Sequence, residues 1–192
     1  MGVGAVREGF RRAVFLDRDG VINRAIVENG KPHPPASLKE LEILPGVPKA
    51  LRALKAAGYL LIVATNQPDV ARGILTRQGV EAINAALLAA LPLDDILVCY
   101  HDNQDHCDCR KPQPGLLLQA ADKHKIDLAA SFMIGDRWKD IEAGRRAGCR
   151  TILVDSDYAE EGLETKPDHR VHTLPEAAAV ILAPIPAGER TG

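Results

Sequence analysis

The chain has 192 residues, 46% of them hydrophobic and 26% charged, with a formal net charge of −2. That length points to a single domain that buries a core without needing disulfides, and the slightly acidic balance argues against nucleic acid as a partner, which calls for a basic excess. No apolar run approaches the length of a membrane span, and the opening segment MGVGAVREGFRR lacks the apolar stretch of a secretory signal, so a cytoplasmic address and reduced thiols are expected.

In chain order, AVFL (13–16) reads as a buried strand that ends in DRDGVIN. The stretch 23–44, rich in proline and polar residues, reads as a loop excursion over the sheet edge. VPKALRALKAAG (47–58) places apolar residues at three- and four-residue steps and stops at Gly58, as a helix does. YLLIVAT (59–65) is a second strand, running into Asn66 and Gln67, and TRQGVEAINAALLAAL (76–91) a second helix. DILVCY (95–100) is a third strand and PGLLLQAADKHK (114–125) a third helix. SFMIGD (131–136) is a fourth strand, WKDIEAGRRAG (138–148) a helix closed by Gly148, and RTILVD (150–155) a fifth strand. The tail 183–192 is expected to be disordered. With no long apolar surface helix, a monomer is expected.

Alternating strands and helices imply an α/β fold, a mostly parallel central sheet with helices on both faces. Ligands of such sheets bind beyond the carboxyl ends of the strands, near a topological switch point. The residues at those ends are therefore the candidates for chemistry. Asp17 and Asp19, two apart, can point the same way where the first strand leaves the sheet, and Gly20 frees the turn that follows. Thr65 ends the second strand, Asp136 and Asp140 follow the fourth, and Arg110 and Lys111 follow the third.

Four carboxylates repel one another unless a cation sits among them, and an oxygen-rich set with spare positions for water suits Mg²⁺. Such a site lets a carboxylate approach a phosphate, so the pattern predicts phosphoryl transfer. Asp17 would attack phosphorus, with Lys111 and the ion neutralising the equatorial oxygens and Thr65 holding them. Asp19 would protonate the leaving alcohol and then take a proton from water. Each piece alone is weak. Asp-x-Asp-Gly occurs in turns and calcium loops, and Gly-Asp after a strand is commonly a plain exit turn. Their joint order, one at each predicted strand end, is what carries weight.

FLDRDGVIN, VATNQ, RKP and MIGDRWKDIEAGRRAG resemble the four motifs of the haloacid dehalogenase superfamily of aspartate-nucleophile phosphatases, from about Phe15 to Val154. The resemblance implies a Rossmann-like fold and Mg²⁺ bound by Asp17, the backbone carbonyl of Asp19, and Asp136, with Asp140 as a supporting acid. The short spacing from Gly20 to the helix at 47 leaves no room for a large cap domain. With the same motifs, Asn23, Asn66 and Arg137 are assigned to substrate binding. QPDV departs from the family, which usually has a small residue and glycine after the glutamine.

Cys99, His101, Cys107 and Cys109 form C-x-H-x5-C-x-C, three thiolates and an imidazole that fill a tetrahedral zinc site. A filled site is structural, and it would order the loop 99–109 that leads to Arg110 and Lys111. A chance cluster of cysteines is the plainer alternative. His106 is a rival for the nitrogen ligand, and Cys149 reads as core. The zinc loop resembles those of two groups, the D-glycero-D-manno-heptose 1,7-bisphosphate 7-phosphatases and the histidinol-phosphate phosphatases. The five-residue gap is like the second group; RKPQPGLLLQAA and TNQPDVARGILT are more like the first. By resemblance, Arg110 helps read the sugar and its remaining phosphate, and Lys31 and His33 are further candidates to touch it.

The expectation is a phosphatase of a small phosphorylated sugar, heptose bisphosphate first, with histidinol phosphate or another small sugar or cyclitol phosphate as alternatives. A polynucleotide 3′-phosphatase would need a basic groove. A zinc-stabilised binding module with a dead site would have lost a motif acid, and all are present.

Overall fold

Strand β1 (Ala13–Leu16) buries all four of its side chains, and it does so because both faces of it are covered. In the computed structural model, which describes residues 6–28, 30–155 and 165–183, β1 sits at the middle of a six-stranded sheet. Its neighbours are β4 (Leu60–Asn66) and β6 (Phe132–Gly135). Outside β4 lies β5 (Asp95–Cys99). Outside β6 lie β7 (Arg150–Val154) and β8 (His169–Val171), giving the order β5-β4-β1-β6-β7-β8 with every pairing parallel. The chain builds β4 and β5 to one side of β1, then crosses back to lay down β6 on the other. That switch opens the crevice in which parallel sheets bind ligands.

The two faces follow from the period of the strands. Val14, Leu16, Leu61, Val63 and Ile134 point to one side, where they pack with the buried residues of helices α1 (Val47–Ala56), α2 (Arg77–Ala90) and α5 (Leu174–Leu182). Ala13, Phe15, Leu60, Ile62, Ala64 and Met133 point to the other, under α3 (Gly115–His124) and α4 (Trp138–Ala147). Strands buried on both faces read as continuous apolar runs, which is how β1, β4, β6 and β7 appear in the sequence.

Two features differ from the sequence expectation. The excursion 23–44 is not loop throughout: β2 (Ile26–Glu28) and β3 (Lys31–His33) pair antiparallel as a separate hairpin. The Asn29-Gly30 pair is a strong hairpin signal, and Gly30 takes the positive φ of 74° that such turns need. Beyond 155, β8 and α5 extend the sheet and cover its face. The hydroxyl of Thr173 accepts from the Glu176 N–H, an N-cap that announces α5. The expected tail lies, apart from Ala183, outside the described residues. Among the described residues no helix is long and apolar enough to cross a membrane.

Candidate active site

The carboxyl ends of β1, β4 and β6 meet at a cleft of about 630 Å³, lined by Asp17, Asp19, Asn66, Lys111 and Asp136 among others. This volume suits a small ligand. At its floor, Lys111 is buried, with Nζ 2.6 Å from Asp17 Oδ1, 2.6 Å from Asp140 Oδ1 and 2.7 Å from the Ala64 carbonyl oxygen. One ammonium thus ties together β1, β4 and the start of α4. The side chain of Asn66 fixes the backbone that carries it: its amide nitrogen donates to the Lys111 carbonyl at 3.0 Å, and its amide oxygen accepts from the Lys111 N–H at 3.1 Å.

Burial sets the electrostatics. The Asp17 carboxyl is pushed up to about 6, first by burial, with Lys111 opposing and the charges of Asp140 and Asp19 adding. Burial works against the charge on Lys111, but the carboxylates of Asp140 and Asp17 outweigh it and raise its pKa. Asp136 is raised well above the usual carboxylate range by burial and by Asp17 and Asp140.

Asp136 and Asp140 differ in one respect that assigns their roles. Both oxygens of Asp136 are buried with no hydrogen-bond partner, a costly arrangement unless something else binds them. Both oxygens of Asp140 are occupied, Oδ1 by Lys111 and Oδ2 by the backbone N–H of Arg137 at 3.0 Å. Ligand atoms of Asp17, Asp136 and Asp140 lie within 4.8 Å of one another. The donor set fits a hard divalent cation such as Mg²⁺, with Asp136 the free ligand and Asp140 held by its neighbours.

Asp19 lies at the cleft wall. Its carboxylate accepts from Nε and Nη2 of Arg18, from the Asn23 amide at 2.9 Å and from the Gln67 amide at 2.8 Å. Gln67 also donates to the Thr65 hydroxyl at 3.0 Å. Asn23, expected at the substrate, is fully buried beneath Asp19 and does not line the cleft. This corrects its assignment: the turn Asp19–Asn23, closed by the Gly20 N–H to the Asn23 carbonyl, packs its side chain inward.

Arg110 and Arg137 line the cleft, as do Lys31 and His33 of the hairpin. The guanidinium of Arg110 donates to Asn103 Oδ1 at 2.9 Å and to the His101 carbonyl at 3.2 Å, so the cysteine loop itself aims it. Arg72, a cleft residue the sequence reading passed over, donates to both oxygens of Asp102 and pairs with Asp69 at 3.1 Å. Asp69 stands at the departure QPDV, and this pair is what the departure builds. Arg18 and Gln67 were passed over too, although both sit inside the quoted motifs.

Cys99, at the end of β5, joins His101, Cys107 and Cys109 in one cluster. The Cys99 sulfur is 3.7 Å from that of Cys107 and 3.0 Å from that of Cys109, and His101 Nδ1 is 3.3 Å from the Cys109 sulfur. These are spacings that Zn–S and Zn–N bonds of about 2.0–2.3 Å can span, so the set fits zinc. His101 rather than His106 stands in the cluster. Cys149 is buried in the core, as expected.

Comparison with known proteins agrees with this geometry. The HAD-hydrolase-like family model matches residues 108–177. The D-glycero-beta-D-manno-heptose-1,7-bisphosphate 7-phosphatase of Salmonella typhi is 40% identical over 154 residues, which are 74% of this chain and 79% of that protein. The protein of the same name from Pasteurella multocida is 38% identical over 156 residues, 75% and 82% of the two chains. The crystal structure of D,D-heptose 1,7-bisphosphate phosphatase from B. bronchiseptica, complexed with magnesium and phosphate, superposes with a TM-score of 0.73 at 30% identity, covering 89% of this chain and 98% of that one.

Proposed function

The chain belongs to the haloacid dehalogenase-like phosphatases, and from that premise we propose that it removes the 7-phosphate of D-glycero-D-manno-heptose 1,7-bisphosphate through an aspartyl phosphate at Asp17. The observation that carries the chemistry is the buried Asp17–Lys111–Asp140 chain beside an unpartnered Asp136 at the floor of the cleft. The substrate rests on the 40% identity over 154 residues to a phosphatase of that name.

Asp17, with its pKa about 6, is mostly ionised at neutral pH and is held by Lys111. Its carboxylate oxygen forms a bond to phosphorus as the bond to the sugar oxygen breaks, and Asp19 gives that oxygen a proton. Water then attacks the same phosphorus and gives its proton to Asp19, the bond to Asp17 breaks, and phosphate leaves. Lys111 supplies positive charge to the phosphoryl oxygens, and the hydroxyl of Thr65 and the backbone N–H groups after Asp17 would hold them. Mg²⁺, held by Asp17, Asp136 and the Asp19 carbonyl, would supply the charge neutralisation that lets two anions meet. Arg110 receives the remaining phosphate, with Arg137 and the edge of Asn66 as further contacts. Cys99, His101, Cys107 and Cys109 would hold Zn²⁺, which would fix the loop that aims Arg110.

We also read the chain as a single-domain cytoplasmic monomer. A cluster of free thiols stays reduced in that compartment, and the net charge of −2 favours a small phosphorylated sugar over nucleic acid as partner. Asp17→Asn tests the chemistry: phosphate release should fall by roughly 10³-fold or more while the thermal unfolding curve remains cooperative. Turnover retained in that variant would overturn the nucleophile.

A further inference from the structure

Arg18 is the largest fully buried side chain among the described residues, and nothing in the steps above uses it. Its guanidinium divides between two partners. Nε and Nη2 face Asp19, at 3.2 and 3.0 Å, while Nη1 donates to Oδ1 of Asn84 at 2.9 Å. Asn84 is the polar member of the buried stripe of α2, beside Val80, Ile83 and Leu87. Its amide nitrogen has no partner. An apolar residue would avoid that loss, so the acceptor it offers Arg18 is the one polar contact the position provides.

On the far side, the carboxylate of Asp19 meets four nitrogens, from Arg18, Asn23 and Gln67. Its plane is thereby fixed, with an edge at the cleft wall. A proton donor works only within hydrogen-bond reach of the leaving oxygen, and small displacements cost rate steeply. We propose that Arg18, held from behind by Asn84, is a positioning residue for the proton-transfer step: the pair anchors Asp19 to α2 and sets where its carboxylate stands. The proposal rests on the reading of Asp19 as acid and base.

Leaving-group dependence separates positioning from plain structural support. A sugar alkoxide needs a proton to depart; p-nitrophenolate does not. Because Asp19 also takes the proton of water in the second step, which both substrates share, the Mg²⁺-loaded protein and four variants are read in a single turnover, by release of the dephosphorylated sugar from heptose 1,7-bisphosphate and of p-nitrophenolate from p-nitrophenyl phosphate. Asn84→Leu, which keeps the branched shape and removes the acceptor, should lower the single-turnover rate on the sugar roughly tenfold or more and on the aryl ester less than about threefold. Arg18→Lys keeps the buried charge but lacks the fork that spans both partners, and should shift the ratio the same way; if Asn84→Leu does not fold, this variant decides. Asn84→Asp keeps an acceptor for Nη1 and should return the ratio towards the native one. Asp19→Asn must itself slow single-turnover release of the sugar far more than release of p-nitrophenolate. If it lowers both alike, the acid reading fails and the proposal with it. If Asp19→Asn shows the split but Asn84→Leu and Arg18→Lys lower both substrates equally, Arg18 is structural only and the proposal alone is overturned.

Discussion

Gly135 leaves open the space that the side chain of Asp140 fills: a Cβ at Gly135 would lie 2.1 Å from Asp140 Cβ and 2.4 Å from its carboxyl carbon. Contacts that short force a shift, and Asp140 is not free to shift, since its oxygens hold Lys111 and cap α4. Gly135→Ala should therefore cost about 1–3 kcal/mol of stability. It should also lower phosphate release, because Lys111 moves with Asp140. Thermal unfolding and steady-state rates read the two effects, and an alanine variant with native stability would show that Asp140 is not locked in place.

The cleft acids make ion binding depend on pH. Burial raises Asp17 from 3.8 to about 6, and raises Asp136 further above its ordinary value. Folded values above the unfolded ones mean that the neutral acids favour the metal-free fold at about pH 4 and below, and that the contribution of Asp17 is lost as pH rises through about 6. A divalent cation binds the ionised forms and offsets the loss. Magnesium should raise the melting temperature markedly at about pH 8 and little at about pH 5, with affinity falling roughly tenfold per unit of pH for each proton displaced. Equal stabilisation at both pH values would contradict the assignment of Asp17 and Asp136 as ligands.

Removing zinc should act on substrate binding before chemistry. The cysteine loop aims Arg110 through Asn103 and the His101 carbonyl, whereas Lys111 is fixed by Asn66, Asp17 and Asp140. Stripping the ion with a chelator should lower the melting temperature and raise KM for a bisphosphate more than it lowers kcat. A fall in kcat with KM unchanged would place the loop in the chemistry instead. A count of bound zinc before and after treatment accompanies the assay.

Arg110→Ala should behave like zinc removal in kinetics but not in stability. Its partners Asn103 and Asp102 are half-exposed or rim residues, so little folding energy is at stake. For heptose bisphosphate, KM should rise about tenfold, the size of one charge-assisted contact; for a substrate with a single phosphate it should hardly change. The same increase for both substrates would remove Arg110 from the second phosphate.

Much of this arrangement was legible in the chain. Continuous apolar runs such as AVFL and LLIVAT marked strands buried on both faces, and the polar side chains at their ends fell where parallel sheets bind ligands. C-x-H-x5-C-x-C named its own cluster, and the structure gathers those four residues. What escaped was set by packing. Asn23 belongs to the first motif yet turns inward, because a tight turn decides which face its side chain takes. Nothing local marks Arg18, between two aspartates, as buried, and the distant Asn84 is the partner that accounts for it. Asp102 lies 30 residues from Arg72, a pairing that no local pattern announces. The hairpin and α5 were signalled, by Asn29-Gly30 and by Thr173 with Glu176; the hairpin strands are too short and polar to reveal a period, whereas α5 carries Leu174, Ala177, Ala178 and Ile181 at helical spacing and could have been read from the chain.

The most direct test is phosphate release, with Mg²⁺ present, from the β and α anomers of D-glycero-D-manno-heptose 1,7-bisphosphate beside histidinol phosphate. For a heptose anomer kcat/KM should lie at least about tenfold above that for histidinol phosphate, the worth of roughly 1.4 kcal/mol from a second phosphate on Arg110. Preferential hydrolysis of histidinol phosphate, with the bisphosphate left intact, would contradict it.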